Sequence, residues 1–161
     1  MKEQKTNAMR ILEQKKIAYE SLDYPHGDGP VDGVTVAALT HQDPATVFKT
    51  LVTVGASKAH YVFVIPVAKE LHLKRAAAAV GEKSIAMIHV SEITPLTGYV
   101  RGGCSPVGMK KLFRTVFDAS ALDHDRIQVS GGRIGTQISL APRDLISLVK
   151  GTTAEITTEE A

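Results

Sequence analysis

The sequence predicts an α+β domain whose mixed β-sheet curls into a partly closed barrel with helices around it. Short β-rich runs recur along the chain, separated by Gly, Pro and Asp turns. No repeat or linker divides the chain, and many short strands in 161 residues favour curling over an open sheet. The expected layout is a single domain over residues 1–151 and a polar, frayed tail over residues 152–161.

Taken in order, Thr6 is placed to cap a helix reaching about Lys16, and Ile17 to Tyr24 reads as a strand stopped by Pro25. A short helical stretch starts at Thr35. Asp43-Pro44 has the form of an N-cap followed by proline at the first helical position. Phe48 to Val54 and His60 to Pro66, separated by Gly55-Ala56-Ser57-Lys58, form a hairpin signal. Ala68 to Val80 is the clearest helix, closed by Gly81. Ser84 to His89 reads as a strand, and Ser91-Glu92 opens a helical turn interrupted by Pro95. Thr115 to Asp118, Arg126 to Ser130 and Thr136 to Leu140 are strands, with Gly131-Gly132 as the turn between the last two. A final helix runs from near Pro142 to Gly151.

Apolar residues make up 43% of the chain, charged residues 22%, and the formal net charge is +2. A chain this long buries roughly two-thirds of its unfolded surface. The weak charge allows a local basic patch without declaring a nucleic-acid binder. One cysteine, Cys104, excludes an internal disulfide and a cysteine metal framework, and no two of the six histidines stand at metal-ligand spacing. The N-terminus lacks the apolar core of a signal peptide and no apolar run is long enough to span a bilayer, so a cytoplasmic protein without membrane contact is expected.

The chemistry-bearing signal is Lys49, set inside Val47-Phe48-Lys49-Thr50-Leu51-Val52. An ammonium facing inward from such a run needs an anionic or strongly dipolar partner, and a ligand is one candidate. Gly103 to Gly108 has the outer spacing of a phosphate-binding loop, but Met109-Lys110 follows where Lys and Ser/Thr are required, which excludes that motif. Gly102-Gly103 can instead expose backbone N–H groups to a carbonyl oxygen, or serve as a plain turn. Ser130-Gly131-Gly132 reads as a hairpin unless its hydroxyl shares a cavity with Lys49. Cys104 has no activating base in sequence and reads as a small buried thiol. Lys74-Arg75, Lys110-Lys111 and Arg114 are solvated faces, or a phosphate-contacting rim if they flank the pocket.

Phe48-Lys49-Thr50-Leu51-Val52, Leu71-His72-Leu73-Lys74-Arg75-Ala76-Ala77, Gly98 to Gly108 and Val129-Ser130-Gly131-Gly132 stand in the order and spacing of one known group. From about Thr6 to Lys150 the chain resembles the YbaK/EbsC family, the free-standing relatives of the editing domain of bacterial prolyl-tRNA synthetases. It is most similar to the Cys-tRNA(Pro)/Cys-tRNA(Cys) deacylase branch. The resemblance implies a barrel-like mixed sheet and removal of a misattached amino acid from tRNA, with no metal or cofactor. The implied partners are the aminoacylated 3′ end of tRNA(Pro) and prolyl-tRNA synthetase. By position, Lys49 is the family's essential lysine. Tyr24, Thr50, Gly102, Gly103, Ser105, Pro106 and Ser130 are the implied substrate-binding residues. For a cysteinyl ester the implied chemistry is substrate-assisted, the thiolate attacking its own carbonyl to give a thiolactone. Relatives often carry an acidic residue where this chain has Gln137, which leaves that position off the catalytic set. Gly27 to Gly33 also lacks the aromatic that relatives can have. Editing of another small amino acid such as alanine, and a non-catalytic module that binds aminoacyl-tRNA or a synthetase, are the competing readings.

Overall fold

A computed structural model describes residues 5–158. Helix α1 (Asn7–Gln14) starts as expected, with Thr6 Oγ1 accepting from the Met9 N–H at 3.1 Å, and buries Ala8, Met9 and Leu12. Then follow β1 (Tyr19–Asp23), α2 (Gly33–Leu39), a 3-10 turn at Pro44–Thr46 capped by Asp43, β2 (Phe48–Gly55) and β3 (His60–Pro66). Helix α3 (Leu73–Val80), β4 (Ile85–Met87), α4 (Val90–Thr97), β5 (Arg114–Asp118), β6 (Ile127–Arg133), β7 (Thr136–Leu140), α5 (Pro142–Leu148) and β8 (Thr152–Ala154) complete the order.

The α+β class holds. In place of a curled barrel, however, the strands form two sheets: an antiparallel one ordered β1-β7-β6 and a mixed one ordered β4-β2-β3-β5-β8. Neither closes on itself. Side chains alternate across the larger sheet. Phe48, Val52, Val62, Val64 and Phe117 face the smaller sheet's Val129, Ile138 and Leu140, with Leu12 and Leu145 in the same core. Phe63, Ile65 and Val116 face the other way and pack on Ala76, Ala77 and Val80 of α3. A bridge between Val47 and Gln128 ties the start of β2 to β6.

Three sequence expectations change. The segment expected to fray from Thr152 pairs in parallel with β5, Val116 facing Thr152, and its Ile156 is fully buried; residues 159–161 lie outside the described ones. Helix α3 begins at Leu73 rather than Ala68, because this C-terminal segment engages the preceding backbone: the His72 N–H donates to Ile156 O at 2.7 Å and Leu71 bridges Thr157. Gly131 and Gly132 lie within β6 at an irregular register between Ser130 and Arg133, and the chain reverses through Ile134-Gly135. Pro95 is accommodated inside α4.

Candidate active site

Beyond the Val47–Gln128 bridge a cavity of about 160 Å³ lies where the start of β2 meets the smaller sheet. Phe48, Lys49 and Thr50 of β2 line one side, with Ser130 of β6 and Gln137 of β7 opposite. Tyr24, Gly102 and Cys104 add further surface, and Val31, Gly33, Val36, Val47 and Val67 form an apolar wall. That wall depends on α2 lying against the end of β3. A Cβ at Gly33 would sit 2.5 Å from Val67 Cγ1, so only glycine permits the approach. Asp32 fixes the helix start by accepting from Thr35 Oγ1 at 2.6 Å and from the Thr35 and Val34 N–H groups at 3.2 and 3.4 Å.

Lys49 and Thr50 are consecutive in a strand, so their side chains leave opposite faces and the cavity wraps the start of β2. Lys49 is half-buried and makes no hydrogen bond or ion pair among the described residues. Its charge is felt by Asp32, whose carboxyl is held below its ordinary range mainly by the Thr35 hydroxyl and N–H, with smaller contributions from Val34 and Lys49. Two buried side-chain oxygens lack a partner among the described residues, Thr50 Oγ1 and Gln137 Oε1, and both residues line this cavity. Ser130 Oγ is occupied, accepting from the Gly132 N–H at 3.2 Å.

The structure separates the residues of the glycine loop. Gly102 lines the cavity at φ +86°, a conformation that suits glycine, and its N–H has no acceptor among the described residues. Gly103 does not line it. Its N–H donates to Val100 O at 3.0 Å, and its Cα packs against the backbone of Arg133 and Ile134. That corrects the idea of two adjacent free N–H donors. Ser105 is fully buried and accepts from the Val107 N–H at 3.2 Å, while Pro106 faces a separate groove with Met109, Leu112 and Phe113. Both hold the loop in shape rather than line the cavity. Cys104 does line it, but burial pushes its thiol up to about 11, against a weaker opposing hydrogen bond with Thr97. Burial of this kind disfavours the thiolate that a nucleophile requires.

Tyr24, Lys49, Thr50, Gly102 and Ser130 are therefore brought together, whereas Gly103, Ser105 and Pro106 are not. Sequence reasoning missed the apolar wall, for which Asp32-Gly33 before an apolar run was the available signal. It also set Gln137 aside. Several basic groups considered as a phosphate rim are occupied: Arg75 donates to Thr157 O at 3.0 Å, and Arg114 to Val80 O and Ala79 O at 3.4 and 3.3 Å. Lys110 Nζ reaches Pro95 O at 3.4 Å.

No described helix is long and apolar enough to cross a membrane. The model of the aminoacyl-tRNA editing domain matches residues 31–148. A protein of Enterococcus faecalis (strain ATCC 700802 / V583), assigned as Cys-tRNA(Pro)/Cys-tRNA(Cys) deacylase EbsC, is 44% identical over 158 residues, covering 98% of this chain and 96% of its own. The crystal structure of a protein described as a trans-editing enzyme for prolyl tRNA synthetase aligns at a TM-score of 0.82 and 21% identity, over 96% of this chain and 99% of its own. That of hypothetical protein APE2540 aligns equally well at 23% identity, over 92% and 97%. These two likenesses speak for the fold, and the family match and the E. faecalis relative for descent: the chain belongs to the aminoacyl-tRNA editing domain family.

Proposed function

We propose that the chain is an aminoacyl-tRNA deacylase that removes cysteine misattached to tRNA(Pro), with Cys-tRNA(Cys) as a second substrate. The observation that carries this reading is the half-buried Lys49, without an ion pair among the described residues, beside a small apolar-walled cavity. An aminoacyl ester is already activated, so placement and charge stabilisation suffice to cleave it. The Lys49 ammonium holds the ester or terminal-ribose oxygens. The Gly102 N–H donates to the carbonyl oxygen, and Tyr24, Thr50 and Ser130 position the amino acid and ribose.

The resemblance implies that the nucleophile comes with the substrate, and burial, which pushes the Cys104 thiol up, is consistent with Cys104 serving as cavity surface rather than attacking group. The cysteinyl thiolate attacks its own carbonyl carbon, a C–S bond forms and the C–O bond to the ribose breaks. The departing 3′ oxygen takes up the proton that the thiol released. The products are a thiolactone and tRNA with a free 3′ hydroxyl. Prolyl-tRNA synthetase is the partner that supplies tRNA(Pro), and the cytoplasm is where both are found.

Deacylation of a panel of mischarged tRNAs by the isolated protein tests this. Cys-tRNA(Pro) is cleared over many turnovers, and Lys49→Ala lowers kcat/KM by about 100-fold or more. Wild-type rates in that variant remove the role given to Lys49. Replacing the substrate cysteine by serine or alanine slows cleavage sharply under thiol attack, and equal rates exclude it. Faster clearance of alanine assigns alanine editing, and binding without turnover assigns a shielding module.

A further inference from the structure

We propose that Gln137 receives the α-ammonium group of the esterified amino acid, and so sets which way the ester lies in the cavity. The inference rests on the deacylase reading above. Gln137 sits in the central strand of the smaller sheet, flanked by Leu22 of β1 and Ser130 of β6, so pairing on both sides fixes its backbone. Gln137 is 7% exposed and lines the cavity, and its amide oxygen is buried with no partner among the described residues, so a half-turn of the amide exchanges nitrogen for oxygen and presents the acceptor to a ligand.

A second buried glutamine in the same sheet gives the contrast. Gln128 uses both ends of its amide: Nε2 donates to Ser139 Oγ at 2.9 Å and Oε1 accepts from Thr46 Oγ1 at 2.7 Å. A glutamine retained for structure alone is satisfied in this way. An unmet buried acceptor lowers stability, and it becomes useful when a ligand supplies the donor.

The cavity lining selects that donor. None of the described residues lining it is Asp or Glu, and the carboxylate of Asp32 nearby is engaged by Thr35 and Val34. Ser130 Oγ already accepts from Gly132, and Thr50 Oγ1, the other unmet oxygen, belongs to the residue next to Lys49 in β2, where a second cation is disfavoured. Lys49 repels a second cation, so the α-ammonium settles on the β7 side and the ester oxygens turn toward Lys49. Among the donors that an aminoacyl ester offers, the ammonium is far stronger than a thiol, and a charged donor makes the stronger hydrogen bond.

The test compares Cys-tRNA(Pro) with tRNA(Pro) esterified by 3-mercaptopropionate, which keeps the thiol and lacks the amine without added bulk. Wild-type protein is expected to cleave the deaminated ester at least about 10- to 100-fold more slowly in kcat/KM. Part of this slowing arises because that ester's thiol is less acidic, so the reading is how the Gln137 variants change the ratio of the two rates. Gln137→Met is expected to slow Cys-tRNA(Pro) by a similar factor, to leave the deaminated ester unchanged, and to melt no lower than wild type. Gln137→Glu, which keeps an acceptor oxygen, is expected to retain the preference for the free amine. Equal slowing of both esters by Gln137→Met, no slowing of either, or loss of the preference in Gln137→Glu overturns the proposal while leaving the deacylase reading intact. A wild-type protein that cleaves neither these esters nor any other aminoacyl-tRNA overturns both.

Discussion

The Ile156 N–H donates to Asp118 Oδ1 at 3.2 Å, joining the last described segment to the end of β5. The same oxygen accepts from Thr157 Oγ1 at 3.3 Å, and Oδ2 accepts from the Ser120 hydroxyl and N–H at 2.5 and 3.3 Å. Asp118 is 5% exposed, so few waters can replace these donors. Asp118→Ala leaves several buried donors unmet and is expected to destabilise the fold by about 2–3 kcal/mol, read as a lower urea midpoint at unchanged slope. An unchanged midpoint would show that the C-terminal segment is held without this carboxylate.

Truncation after Gly151 removes β8 and the fully buried Ile156. Ile156 packs with Phe63, Ile65, Ala76 and Val116, and its loss opens that core to water. Deleting a buried isoleucine alone costs about 2–5 kcal/mol. The shortened chain is expected to melt well below the full one and to bind a hydrophobic dye. Equal melting temperatures would restore the frayed tail that composition suggested.

These two regions show where the sequence was legible. The β2–β3 hairpin, the Thr6 and Asp43 caps and the Gly81 stop depend on near neighbours, and the residues that dictate them lie within a few positions. The tail and the start of α3 depend on each other across the chain. Ala68 to His72 has helical propensity, yet its backbone serves Ile156 and Thr157, and pairing outweighs propensity there. Thr152-Thr153 reads as polar because β8 lies at the edge of its sheet, where most of those side chains face water. The site divides in the same way. Lys49 stood out because a charge broke an apolar run, whereas Gln137 was legible only as a departure from the acidic residue of relatives, and its unmet oxygen is visible only in the fold. The glycine loop announced itself, but only its folded form separates Gly102, at the cavity, from Gly103, whose N–H is used up.

Gly102→Ala tests that separation. A Cβ there would lie 2.6 Å from Pro30 Cβ and 2.9 Å from Pro30 Cα, at a φ of +86° that an L side chain rarely adopts. The conformational penalty is about 1 kcal/mol and the clash adds about 1–3 kcal/mol. Because Gly102 lines the cavity, displacement of the loop is expected to cost deacylation as well as stability. At Gly103 the Cβ would meet Arg133 Cα at 2.9 Å, with no left-handed penalty. Thermal melts of both variants, with rates measured well below each melting temperature, distinguish the two positions. Undiminished deacylation in folded Gly102→Ala would show that the loop does not shape the site.

Cys104 makes the fold sensitive to alkali. Burial raises its thiol from an ordinary value of 9.0 to about 11. Below pH 9 both folded and unfolded chains keep the proton, so the stabilising difference is fully present. As pH rises from about 9 to 11 the unfolded chain releases it first, and stability falls by about 2–3 kcal/mol across that window. Tyr99, pushed up to about 12 by burial and then by the nearby Cys104, adds a similar loss that begins above pH 10. Urea midpoints measured at pH 8, 9, 10 and 10.5 should drop steadily for the wild type. In Cys104→Ala the first part of that drop should vanish, leaving the later fall due to Tyr99. Iodoacetamide at pH 8 should label the native thiol far more slowly than the urea-unfolded one, because burial holds the folded thiol in its protonated form there. Rapid labelling of the native protein would mean an ionised, accessible sulfur, and with it the return of a protein nucleophile to the cavity.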